Sequence, residues 1–141
     1  MKGFTFVELL VVITIVAILS VIGLVAYAAF LSNARDAKRQ SDLKLIQSAL
    51  EQYHGDQKYY PYEISPGGSL VSGSKTYLNK VPSDPKGSPN YSYVSSGASC
   101  NALTPQNCTS YCLYAKLEGT VPDSDQGCSP PITHNYGVTR P

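Results

Sequence analysis

The feature that most constrains this chain is an apolar run at positions 4–31, broken by one charge, Glu8. As a helix rising about 1.5 Å per residue it extends roughly 40 Å. A bilayer hydrocarbon core needs only about 20 such residues. A carboxylate in a membrane segment costs on the order of 2.5–3.5 kcal/mol on insertion scales and so calls for a partner. No cation lies within the run. Lys2 precedes it, and Arg35, Lys38 and Arg39 follow it. Counting these charges puts the C-terminal side in the cytoplasm. The segment does not read as a secretory signal either, because it is too long and lacks a small-residue cleavage site after a short apolar stretch.

The remaining residues suffice for one small domain with its own core. Eleven basic and ten acidic side chains leave the chain near neutral, which excludes bulk nucleic-acid binding by charge. Eleven Tyr, no Trp, 11 Gly and 10 Pro suit a loop-rich domain with strands rather than a helical bundle. Good helix formers continue past the apolar run to Tyr53 without Pro or Gly. One helix of about 50 residues is therefore predicted, with Gly55 as its C-terminal stop and His54 in the last turn. Its second half is amphipathic. Ala34, Ala37, Leu45, Ala49 and Tyr53, flanked by Ile46 and Leu50, approximate an apolar stripe. Arg35, Asp36, Lys38, Arg39, Asp42, Lys44 and Glu51 form the opposite face.

Prolines 61, 66, 82, 85 and 89 break regular structure in the next segment, where residues 74–79 could form a short helix. Strand signals follow at residues 90–95 and 111–118, with a shorter one at 135–139. In the second, Tyr111, Leu113, Ala115 and Leu117 share one face, and Cys112, Tyr114, Lys116 and Glu118 the other. The expected architecture is α+β: a long helix laid against an antiparallel sheet of about three strands.

Cys100, Cys108, Cys112 and Cys128 allow three disulfide pairings. Cys100 with Cys108 would close the loop between strands. Cys112, on the non-core strand face, would reach Cys128 and tie down the C-terminal segment. This pairing is favoured, but the sequence leaves the connectivity open. A four-thiolate zinc site is the rival; Cys108 and Cys112 fit one half, without a second close pair. Asn90-Tyr91-Ser92 and Asn107-Cys108-Thr109 match the N-glycosylation pattern and are read as chance. His54 and His134 have no catalytic company, and no nucleophile–base–acid set or phosphate loop is recognisable, so no enzyme activity is expected. Tyr59, Tyr60 and Tyr62 read as loop packing against the helix ahead of an adhesive role.

The segment Gly3-Phe4-Thr5-Phe6-Val7-Glu8-Leu9-Leu10 resembles the processing signal of type IV pilins and pseudopilins. Tyr60-Pro61, Val81-Pro82-Ser83-Asp84-Pro85-Lys86-Gly87-Ser88-Pro89-Asn90-Tyr91-Ser92-Tyr93 and the 111–118 strand are similar to the loop-and-strand pattern of the same family. The resemblance implies a type IV pilin fold. Residues 1–3 would be a leader, 4–31 a transmembrane and filament-core helix, 32–54 its amphipathic half, and 55–141 the globular domain. A prepilin peptidase would cut between Gly3 and Phe4 on the cytoplasmic side and N-methylate Phe4. The dedicated leader would then set the topology, resolving the conflict with charge counting. The Phe4 amine of one subunit would pair with Glu8 of a neighbour during assembly. An assembly ATPase and inner-membrane platform proteins would be partners, along with membrane lipid before assembly. The precursor would be a single-pass cytoplasmic-membrane protein, and the polymer an extracellular filament.

Within the family the alternative is a major pseudopilin of a type II secretion or competence system. From another class it is a monomeric membrane-anchored binding domain, which would need neither Gly3-Phe4 nor Glu8. Residues 123–127 read as a solvated turn. The resemblance makes Asp123 and Asp125 weak calcium candidates, since some major pseudopilins bind that ion in the corresponding region, but no cofactor is otherwise expected. Many pilins carry a Pro where this chain has Val25, which leaves Gly23 as the weak point of the helix.

Overall fold

The computed structural model describes residues 3, 5–121, 128, 129 and 131–141. The chain divides into two compact units, residues 1–34 and 35–141. Helix α1 is Phe6–Gln57. In the first unit every described side chain of residues 5–31 is exposed. The segment is long and apolar enough to cross a membrane. Its two mid-run hydroxyls are satisfied locally: Thr14 Oγ1 donates to Leu10 O and Ser20 Oγ to Val16 O, each at 2.7 Å. Such back-bonding suits a segment that cannot rely on water. Gly23 lies inside the unbroken helix.

The second unit opens with the rest of α1 and continues into two small antiparallel sheets. Strands β1 (Leu70–Ser72) and β2 (Lys75–Leu78) form a hairpin. Gly73 turns it with φ 58°, a left-handed conformation natural to glycine. Residues 74–79, where a short helix was expected, thus contribute a strand. Lys75, Thr76 and Leu78 gain cross-strand partners there, Ser72, Val71 and Leu70, that an isolated helical turn could not supply. The second sheet has β4 (Ser110–Ala115) between β3 (Ser92–Ser96) and β5 (Tyr136–Thr139). Its register sets Tyr93 opposite Leu113, and Leu113 opposite Val138. The fold is therefore α+β and pilin-like, with one hairpin more than the three strands expected.

Among the described residues the core is one cluster of helix, strand and loop residues. Leu43, Ile46, Ala49, Leu50 and Tyr53 of α1 pack with Tyr60, Leu70, Val81, Tyr91, Tyr111, Leu113, Ala115 and Val138. The predicted inner face of β4 is buried throughout, including Leu117 just beyond the strand. Tyr114 is buried on the other face, where its ring lies near His134 and against Gly137. Tyr60 is buried and Tyr62 exposed.

Two helix expectations need correction. Gly55 does not end α1, which continues to Gln57. The chain leaves the helix at Lys58, whose φ is 69° and whose N–H donates to His54 O at 2.8 Å. The buried stripe is also rotated. Ala34, Ala37 and Leu45 are exposed, whereas Asp36, Arg39, Asp42 and Leu43 are buried. The first turns of the packing face are therefore ionic. Hydrophobicity alone could not find them, because each buried charge there is matched by a partner far along the chain.

Disulfides join Cys100 to Cys108 and Cys112 to Cys128. All four sulfurs are thereby consumed, which removes the zinc alternative. The first disulfide braces the β3–β4 connection. Gly97 is required in that connection because a Cβ there would meet Asn107 O at 2.1 Å.

Candidate functional site

The processing and assembly residues expected from the sequence cluster at the start of α1. Gly3 is exposed, with open space where a Cβ would stand. Phe4 lies outside the described residues, as do Asp123 and Asp125, so nothing in the structure bears on the calcium expectation. Thr5 immediately precedes the helix and Glu8 is its third residue. Glu8 Oε2 accepts hydrogen bonds from Thr5 N and Thr5 Oγ1, both at 2.8 Å, and Thr5 Oγ1 accepts from Glu8 N at 3.3 Å. This is a capping box, in which two otherwise unpaired donors at a helix start are satisfied reciprocally. The carboxylate also lies where the helix dipole favours negative charge. Glu8 thus has a local neutral partner within its own chain. The Thr-x-x-Glu spacing is the local sequence signal for this cap. The capping bonds use Oε2. Glu8 itself is exposed.

A second constellation begins where the apolar run ends. Arg39 is 2% exposed and binds three carboxylates. Its Nε donates to Asp84 Oδ2 at 2.6 Å, and its Nη1 to Asp36 Oδ1 and Glu118 Oε1, both at 2.7 Å. Arg35 grips Glu118 with two parallel bonds of 2.7 and 2.6 Å, and Lys86 Nζ adds a third cation at 2.7 Å. Asp36 in turn accepts the backbone N–H groups of Glu118 and Gly119. Helix, 84–86 turn and 118–119 turn are thereby joined by charge-assisted bonds, which are shorter and stronger than neutral ones. Arg35, then Lys86, hold the Glu118 carboxyl far below the ordinary range. Burial pushes the Asp84 carboxyl up, but Arg39 and the Lys86 N–H outweigh it and the net shift is downward.

A third cluster closes the far end of the core. Glu51 accepts hydrogen bonds from Tyr60 and Tyr111, each at 3.1 Å. His54 stacks on Tyr60 with 4.5 Å between ring centroids, so it acts as a packing group near the helix end. Burial, followed by Glu51, raises the Tyr60 hydroxyl to about 12. His134 Nε2 lies 2.9 Å from Asn90 O. Asn90 Oδ1 accepts from the Asp84 and Tyr91 N–H groups, so this side chain serves the turn. Among the described residues no group of three or more His, Cys, Asp or Glu is placed to hold a metal.

These features can be set against known proteins. Residues 1–24 match the family model described as the prokaryotic N-terminal methylation motif. The chain is 29% identical over 80 residues to the fimbrial protein EcpC of Eikenella corrodens, covering 57% of this chain and 52% of that protein. It is 30% identical over 107 residues to type II secretion system core protein G of Pseudomonas aeruginosa, covering 68% of this chain and 75% of that protein. It thus spans about half the length of the fimbrial relative and three quarters of the secretion relative. No solved structure matches. A methylation motif on an exposed apolar helix, joined to a small disulfide-tied α+β domain, places the chain in the type IV pilin and pseudopilin family.

Proposed function

We propose that the chain is a structural subunit, not an enzyme: a membrane-anchored precursor cut between Gly3 and Phe4, methylated at Phe4, and polymerised through α1. The observation that carries this reading is the pairing of the Gly3-Phe4 motif with an apolar helix whose described side chains are exposed throughout residues 5–31. Such a surface has two physically acceptable environments, lipid and the same helix of neighbouring subunits. The processing peptidase, assembly ATPase and membrane platform follow from this reading as partners.

In the precursor, Glu8 is held by Thr5. After cleavage, the Phe4 amine of one subunit meets Glu8 of the next. Each charge is expensive alone in an apolar setting and much less so as a pair. The experiment is Glu8→Ala. Processing at Gly3 should persist while filament yield collapses. Filaments at wild-type yield from the variant would overturn the assembly role.

A second reading is a major pseudopilin of a secretion system. It is favoured by the longer match, which is to type II secretion core protein G. The two readings differ in the length and display of the polymer.

A further inference from the structure

Glu63 stands apart from the other acids of the chain. Among the described residues it is the one carboxylate side chain with no hydrogen bond or ion pair. The others are held within the chain, from Glu8 by Thr5 to Glu118 by Arg35, Arg39 and Lys86. Glu63 is exposed and lines a cavity of about 270 Å³ with Tyr62, Tyr93, Val94 and Ser95. The cavity lies where the segment after α1 meets β3. Two hydrogen bonds fix its walls. Tyr93 Oη donates to Pro61 O at 2.6 Å, and Ser95 Oγ to Tyr62 O at 2.7 Å. Both hydroxyl protons are thereby committed. What stays free is the Glu63 carboxylate, beside the exposed Tyr62 ring and the exposed Val94 side chain.

These groups suit a cation carried on an apolar stem. The carboxylate accepts charge-assisted hydrogen bonds. An aromatic face attracts a cation. A lysine stem covers apolar surface such as Val94 while its ammonium stays near water. The chain carries matching cations that are equally unpaired. Lys44, Lys80 and Lys116 are exposed and have no hydrogen bond or ion pair among the described residues. All three belong to the second unit, as Glu63 does, and none of them meets it within the chain. We propose that the cavity at Tyr62 and Glu63 receives a lysine side chain of a neighbouring copy of this chain, supplied by Lys44, Lys80 or Lys116. This inference rests on the polymer reading and adds to it a contact between globular units, apart from the packing of α1. Pocket and lysine are different patches of one surface, so the contact is heterologous. Repeated from copy to copy, such a contact closes a ring or runs on as a helical filament.

The test applies a water-soluble carbodiimide to sheared fibres of the full chain. The reagent joins a carboxylate to an amine in direct contact and leaves no spacer between them. Covalent dimers are separated on a denaturing gel and mapped by mass spectrometry after reduction and proteolysis. The expected result is an amide between Glu63 and one of Lys44, Lys80 and Lys116 in the dimer band. Glu63→Gln should remove most of that band. Among Lys44→Gln, Lys80→Gln and Lys116→Gln, the change at the mapped lysine alone should do the same. Thermal midpoints in detergent check that each variant folds, and the wild-type map decides even where a variant makes no fibres. Four outcomes would overturn the contact: Glu63 unmodified in the dimer band, Glu63 joined to a lysine in the monomer band alone, Glu63 joined to a different protein, or an undiminished dimer band in Glu63→Gln. Fibres that lack this chain altogether would instead overturn the polymer reading beneath it.

Discussion

Replacing Arg39 by Met probes the least expected part of the fold. The Arg39 side chain is 3% exposed, and that of Asp84 is 1% exposed. Met conserves much of the apolar stem but removes every donor. Asp36 would keep the Glu118 and Gly119 N–H groups. Asp84 would keep only the Lys86 N–H on Oδ1, and its Oδ2 would lose the 2.6 Å bond from Arg39 Nε. Breaking a buried pair from one side typically costs about 3–5 kcal/mol, because an uncompensated charge remains. For a unit of about 100 residues that corresponds to a fall of roughly 12–25 °C in Tm. The assay is thermal unfolding of the oxidised full chain in detergent, followed by the tyrosine near-ultraviolet signal. Arg39→Met/Asp84→Asn should recover part of the loss, with a coupling of about 0.5–3 kcal/mol, because it removes the stranded charge. A fall below about 4 °C in the single variant, or a double variant no better than the single, would refute the reasoning.

Other perturbations test neighbouring claims. Leu43→Ala should cost about 2–5 kcal/mol, whereas Leu45→Ala should stay within about 0.5 kcal/mol. Equal losses in denaturant unfolding would contradict the observed helix face. The Glu118 and Asp84 carboxyls lie below their unfolded values in the fold. Their stabilisation is therefore fully present above the unfolded pKa values, near 4, and is lost as pH falls through the folded ones. A midpoint–pH profile should drop on the acid side, and Glu118→Gln should flatten that drop; an unchanged slope would exclude Glu118 as a source. The Tyr53 and Tyr60 hydroxyls are raised to about 12, chiefly by burial. The stability they contribute is full below about pH 10 and lost as pH rises through the folded values. Phenolate absorbance should thus show a late-titrating set that joins the main set on unfolding, and one uniform titration would contradict the burial.

The long helix, the β3–β4–β5 sheet and the inner face of β4 were legible in the sequence because each rests on a repeating pattern of apolar residues. The family was legible from the Gly3-Phe4 to Glu8 spacing, a local signal. The misreadings share a different cause. Residues 74–79 became β2 because a nonlocal partner, β1, overrode weak local preference. Arg39 and Asp36 were placed on the solvent face because their partners, Asp84 and Glu118, lie more than 40 residues away. Leu45 was placed inside because a stripe drawn only through apolar residues cannot include a buried arginine. The Thr5–Glu8 capping box, by contrast, was local and legible, and shows that the lone carboxylate is satisfied within its own chain before any neighbour arrives.

The central claim is that cleavage before Phe4 converts a stored membrane subunit into a polymer unit. It is tested most directly by mass spectrometry of the main protein in sheared fibres whose form is checked by electron microscopy. Fibres built of this chain, with a terminus at N-methylated Phe4, are the expected result. Fibres carrying the chain with Met1 or Lys2 still attached would contradict it.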